Sequence, residues 1–225
     1  MALTALLVLP SFLAVPCLGA ARETAFTAVV TSDLHYTANK NVSNIIVPGM
    51  AFVDEITDAI IEMVLDQKPD ALILTGDNTN GGSKTDAAVL AEKLKRVKDA
   101  GIQVVLTTGN HDFNQSSPED FEKIYYGLPE MTDRDASSLS YTCLAGDAVL
   151  LAMDDNAVEP GGRGEFSPST LAWLEEMLDK YAGHPVLFLS HHNVLIGKDS
   201  ESSGKAMVDN PPLNACRLDL TLNME

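Results

Sequence analysis

Three short motifs combine side chains that bind metals or move protons: Asp33-Leu34-His35, Gly76-Asp77-Asn78 and Gly109-Asn110-His111-Asp112. In an extended segment, residues two apart point to one face, so Asp33 and His35 face together while Leu34 turns away. A carboxylate and an imidazole on one face can chelate a single cation. Asp77 follows a glycine, where the backbone can turn sharply and expose a carboxylate, although the same pair also suits an ordinary turn. Asn110 offers a neutral carbonyl ligand and His111 a titratable ring beside it. A Gly-Asn turn with a surface histidine would read the same. Each motif alone admits such a plain reading. Taken in order, each at the end of an apolar run and with His191 after a fourth run, they point to one metal-binding centre.

The elements that must hold these motifs alternate along the chain. Phe26 to Thr31 reads as a buried strand. Phe52, Ile56, Ile60, Met63 and Val64 recur at helical spacing, which predicts an amphipathic helix over about 51 to 66. Ala71 to Thr75 is a second strand. Leu90, Leu94 and Val97 mark a second helix, with Gly101 suited to its C-terminal end. Ile102 to Thr107 is a third strand. Ser117-Pro118-Glu119-Asp120 opens a further helix, with a serine cap, proline in the first turn and acids set against the helix dipole. The runs Leu139 to Leu144 and Ala148 to Met153, separated by Ala145-Gly146-Asp147, predict a hairpin. Ser167-Pro168 starts another helix, with Leu171, Leu174, Met177 and Leu178 on one side and Gly183 at its end. Pro185 to Ser190 is a strand that delivers His191 and His192, and Leu218 to Leu222 suits one last short strand. This alternation implies a largely parallel or mixed α/β sheet covered by helices, with functional groups beyond the carboxyl ends of the strands.

The 225 residues suffice for one substantial core, and 45% hydrophobic with 21% charged residues is a globular composition. A net charge of −17 argues against a nucleic-acid or anionic-membrane surface. Residues 1–21 carry no charge, run apolar from Leu3 to Leu18 and end in Gly19, Ala20 and Ala21. They read as a secretory signal peptide without the usual basic start, which predicts an exported protein. A retained N-terminal anchor is the alternative, against which Pro10 and Pro16 count, and a buried helix is the plain reading. Beyond the leader, Cys143 and Cys216 either pair, as export would permit, or remain structural thiols.

The chain resembles the calcineurin-like metallophosphoesterase superfamily, which includes purple acid phosphatases and bacterial phosphodiesterases. The resemblance is to an exported bacterial branch. It rests on Ser32 to Tyr36, Leu74 to Asp77, Gly109 to Asp112 and Ser190 to Asn193, and on Glu165 to Leu174 ahead of the histidine strand; it spans roughly residues 26 to 223. It implies a sandwich of mixed β-sheets flanked by helices (α/β/β/α) over residues 22–225. It also implies hydrolysis of small-molecule phosphoric esters by two divalent ions, Mn, Fe or Zn. In that reading Asp33 and His35 hold the first metal, Asp77 bridges, Asn110 and His191 hold the second, and His111 protonates the leaving alkoxide with Asp112 orienting it. His191 is preferred to His192 as the first residue after its strand. The family's second motif commonly ends in Asp or Asn; here the segment runs to Asn80.

The superfamily also carries a Gly-His-x-His turn that gives each metal a ligand. The five histidines here are His35, His111, His184, His191 and His192. His184 precedes Pro185 and a strand, and none follows His192. The sequence thus predicts a domain incomplete at its C-terminal end, either a hydrolase or an impaired fragment that only binds metal or phosphate.

Overall fold

The computed structural model describes residues 26–40, 50–158 and 164–192. The leader, the Leu218 to Leu222 run and Cys216 lie outside the described residues. Continuous apolar runs give the inner strands: β2 (Ala71–Thr75), β5 (Tyr141–Ala145) and β6 (Ala148–Ala152), together with β3 (Gln103–Thr107) and the shorter β1 (Ala28–Thr31) and β7 (Val186–Leu189). One strand was not foreseen, β4 (Met131–Arg134), a polar stretch that pairs antiparallel with β5. β1, β2 and β3 form a parallel sheet in that order, Val29 beside Leu72 and Leu72 beside Val104. The second sheet runs β4, β5, β6, β7, antiparallel except for the parallel β6–β7 pair.

Side chains alternate across the first sheet, so each face has its own core. Leu72, Leu74, Val104 and Leu106 face the helices α1 (Val53–Gln67), α2 (Lys84–Asp99) and α3 (Pro118–Tyr125) through Ile61, Val64, Leu90, Leu94, Val97 and Phe121. Ala71, Ile73 and Val105 face the second sheet through Tyr141, Cys143, Leu150 and Leu189. Beyond that sheet, Leu151 and Met153 pack on Met177 of α4 (Pro168–Lys180). The layers are therefore helices, sheet, sheet, helix, the expected α/β/β/α sandwich. Burial in the inter-sheet core pushes the Cys143 thiol up to about 12. Among the described residues, no helix is long and apolar enough to cross a membrane.

Two helices turn a different face inward from the one their leucines and isoleucines suggest. In α1 the buried stripe is Val53, Thr57, Ile61 and Val64, while Ile56 is 47% exposed and Met63 41%. Thr57 enters the core because its hydroxyl donates to the Val53 carbonyl at 2.7 Å, leaving no unpaired polar group inside. In α4, Thr170 and Met177 are buried with Trp173 and Leu174 against the same core, and Leu171 and Leu178 face out. β1 also differs: it is half-buried rather than buried, with Val30 43% exposed.

Candidate metal centre

All four chemistry-bearing segments sit just past strands, at the ends of β1, β2, β3 and β7. The loops after β1 and β2 continue the parallel ladder. The His35 amide donates to the Asp77 carbonyl at 2.8 Å, the Tyr36 amide to the Asn78 carbonyl at 2.9 Å, and the Asn80 amide to the Tyr36 carbonyl at 3.0 Å. Tyr36 is fully buried and its hydroxyl donates to Asp54 on α1, which fixes the first loop to the helix layer.

Within this ladder the backbone is strained. Asp33 (φ 52°), His35 (φ 46°) and Asp77 (φ 48°) all adopt the left-handed conformation, as does Gly76 before Asp77 (φ 83°). Such conformations cost non-glycine residues about 1–2 kcal/mol each and persist where surrounding contacts impose them. Asp33 and His35 are thus each left-handed, with Leu34 between them, and do not follow the period-two geometry of an extended segment.

Asp77 is the hub. Its Oδ2 lies 3.5 Å from His35 Nε2 and its Oδ1 3.5 Å from His191 Nε2, so its two oxygens face two different imidazoles. Oδ1 also accepts the His111 amide at 2.8 Å. Two donor sets share this carboxylate: His35, Asp77 and His111, and Asp33, Asp77 and His191, the donor atoms of each set lying within 4.8 Å of one another. Asp33 Oδ1 also stands 3.9 Å from His35 Nε2, the pair that the resemblance places on one metal, so Asp33 lies between His35 and His191. Asn110 opens the 3-10 turn Asn110–Phe113 between Gly109 and His111, half-buried.

Two of the three imidazoles are held by their other nitrogen. His191 Nδ1 donates to the Thr75 carbonyl at 3.0 Å and His111 Nδ1 to the Asn80 carbonyl at 3.0 Å, which frees both Nε2 lone pairs. Asn80 thus serves the site through its main chain, whatever its side chain. His35 Nδ1 is buried without a partner, and burial holds this imidazole below its ordinary range although Asp77 opposes it. The His35 and His111 rings meet edge to face with centroids 4.7 Å apart. His192 does not join either set; its Nδ1 turns to Asp155 at 3.1 Å. His184 is exposed, its Nδ1 on the Asp147 carbonyl.

Asp112 was expected to orient His111, and it does not. Its oxygens accept from the Asn78 amide and side chain, the Thr79 amide and hydroxyl, and the Gly109 amide. Burial pushes its carboxyl upward, and these donors pull it back. Asp112 therefore joins the second motif to the third. Missed in the sequence were Asp154, Asp155 and Asn156, all buried just after β6. Three polar residues closing an apolar run were the available signal, the same one that marked the other motifs.

Two carboxylates and three imidazoles around a shared oxygen pair suit divalent transition metals, and burial, which disfavours the charged form of His35, suits that ring to a ligand. The donor set present fits such ions.

Comparison with known proteins agrees with this geometry. The family model for calcineurin-like phosphoesterases matches residues 26–222. The chain is 29% identical over 128 residues to a probable glycerophosphodiester phosphodiesterase GpdQ of Arcobacter nitrofigilis, and 25% identical over 128 residues to the glycerophosphodiester phosphodiesterase GpdQ of Enterobacter lignolyticus. Each match covers 57% of this chain and 43% of the relative, so it spans less than half the length of those proteins. In fold the chain is similar to a dimetal phosphatase from Danio rerio, with a TM-score of 0.59, 14% identity, and coverage of 82% of this chain and 78% of that one. The chain belongs to the calcineurin-like phosphoesterase family.

Proposed function

We propose that this chain hydrolyses phosphoric esters with two divalent ions that share Asp77, and that its substrate is a small phosphodiester, as the names of the GpdQ relatives suggest. The observation that carries this reading is the placement of the two Asp77 oxygens toward two separate donor sets. When bound, the ions activate water and neutralise charge on the phosphate oxygens. Asp77, with one oxygen toward each donor set, would hold both ions and screen them from each other. Asp33, half-exposed, stands at the rim. His111, as the imidazolium and not as a ligand, protonates the departing alkoxide from Nε2 and is left as the neutral tautomer whose Nδ1 proton stays on the Asn80 carbonyl. Asn110 is assigned to the metals as a carbonyl ligand. Export is the localisation that the uncharged apolar stretch of residues 1–21 supports.

The second reading is a domain that binds metal or phosphate without turnover. It is favoured by the placement of the histidines: with His184 exposed on Asp147, His192 turned to Asp155 and His111 kept as the acid, His35 and His191 are the imidazoles left among the described residues for two ions. Metal-stripped protein reloaded with Mn, Fe or Zn and assayed on bis(p-nitrophenyl) phosphate and p-nitrophenyl phosphate separates the two. Metal-dependent turnover that Asp77→Ala abolishes supports the hydrolase. Two bound ions with no turnover on either ester supports binding alone.

A further inference from the structure

The triplet Asp154-Asp155-Asn156 is buried just beyond β6, and none of its members belongs to the donor sets around Asp77. Its bonds run in both directions. Asp155 Oδ2 accepts the His192 amide at 2.6 Å, and Oδ1 accepts from His192 Nδ1 at 3.1 Å. Asn156 Nδ2 donates to Asp155 Oδ1 at 2.8 Å and reaches the Thr108 hydroxyl at 3.3 Å. That hydroxyl in turn donates to Asp154 Oδ1 at 2.7 Å. Thr108 stands just ahead of Gly109 and Asn110, so the triplet ties the β3 motif in one sheet to the β7 motif in the other.

We propose that Asp155 is a positioning residue of the metal centre, which holds the Ser190–His192 turn so that the His191 ring presents Nε2 to Asp77. The inference rests on the metal-dependent reading above. Two bonds from one carboxylate fix both the main chain and the ring of His192. The ring is confined further by Gly164, where an added Cβ would lie 2.5 Å from its atoms, and Gly164 is followed by Glu165, whose amide donates to the Asp155 carbonyl. With His192 held, the peptide joining it to His191 is held too. His191 then has only its side-chain torsions to set, and the Thr75 carbonyl sets them through Nδ1. Gly76 adds a steric limit, since a Cβ there would stand 2.6 Å from His191 Cβ and Cγ. Asp155 touches no donor atom of the centre; it acts through the turn.

Removing such an outer partner typically weakens metal binding about 10–100-fold. The donor sets make the expected loss selective, because His191 serves only the set with Asp33 and Asp77. Competition against a chromophoric chelator with Zn or Mn should show Asp155→Ala losing about 10–100-fold at one site while the site built on His35 and Asp77 keeps its affinity. Asp155→Asn keeps one acceptor and should lose less. His191→Ala marks full loss of that site. A readout free of metal is the long-range nitrogen–proton NMR spectrum of the imidazoles in stripped protein. His191 should show a single Nδ1-protonated tautomer in the unaltered chain and a mixture in Asp155→Ala. Should Asp155→Ala fail to fold, Asp155→Asn and Asp155→Ser are read in its place. Folded Asp155 variants with unaltered affinity at both sites and an unaltered His191 tautomer would overturn the proposal. If the unaltered chain binds no metal, the functional reading fails, and the tautomer comparison still decides whether Asp155 positions His191.

Discussion

Gly109 approaches Asp77 so closely that a Cβ built on it would stand 2.0 Å from the Asp77 amide nitrogen and 2.3 Å from its Oδ1. No real Cβ tolerates such contacts, so any side chain at 109 must displace the residue that both donor sets share. Gly109→Ala should therefore empty the centre of metal while far-UV circular dichroism stays native. Elemental analysis after dialysis against Mn or Zn checks this; normal occupancy would show that the β3 turn yields without moving Asp77.

Asp77 and its neighbours should differ in how many ions they cost. Asp77→Ala removes the donor common to both sets and should abolish binding of both ions. Asp33→Ala should weaken one and spare the other, because Asp33 belongs to a single set. Isothermal titration distinguishes one lost binding event from two. Equal losses from the two variants would mean that the sets are not separate sites.

His111 as proton donor predicts dependence on the leaving group. His111→Ala should slow hydrolysis of an alkyl diester about 10²–10⁴-fold, the usual contribution of a positioned acid. A p-nitrophenyl ester, whose leaving group departs as a stable anion, should be slowed much less. Equal effects on both would indicate that His111 serves chiefly as a ligand beside His35 and Asp77.

Much of this arrangement was legible because strands announce themselves as contiguous apolar runs, and motifs that end such runs fall together at one edge of a sandwich. Ala71 to Thr75 and the Ser117 cap fell as the sequence indicated, the latter as a reciprocal pair in which Ser117 and Asp120 cap each other. The helix faces were not legible. Thr57 and Thr170 count as polar in a pattern, yet both are buried, Thr57 with its hydroxyl on the Val53 carbonyl and Thr170 beside the Ser167 hydroxyl. β4 was hidden by its polarity, since Asp133 is used for Lys180 at the end of α4 and for Tyr181 just past it rather than for a core. The role of Asp112 depended on contacts from residues 34 positions away, which no local pattern encodes.

The rotated face of α1 can be tested by stability. Ile61→Ala, at a site 1% exposed, should cost about 2–5 kcal/mol, whereas Ile56→Ala should fall within about 0.5 kcal/mol. Urea denaturation of both variants checks the ranking. A larger cost at Ile56 would restore the face read from the sequence.

Asp112→Ala should be worse than a cavity of its size. It leaves the buried amides of Asn78, Thr79 and Gly109 without their acceptor, at about 1–3 kcal/mol each, so a loss of at least about 3 kcal/mol is expected. Thermal unfolding in the absence of metal measures this apart from any effect on the centre. A shift of under a degree would mean that other acceptors replace it.

The donors around Asp77 do not all come from one layer. Asp33, His35, Asp77 and His111 hang from the parallel sheet, whereas His191 hangs from β7 in the other. An ion gripped by Asp33, Asp77 and His191 would consequently act as a rivet through the seam of the sandwich. Occupancy and cohesion of the two sheets become one thermodynamic variable, in which every tenfold excess of free ion over its dissociation constant adds about 1.4 kcal/mol against unfolding. A chelator would then loosen the protein along that seam first, and the melting temperature itself becomes a gauge of how full the centre is.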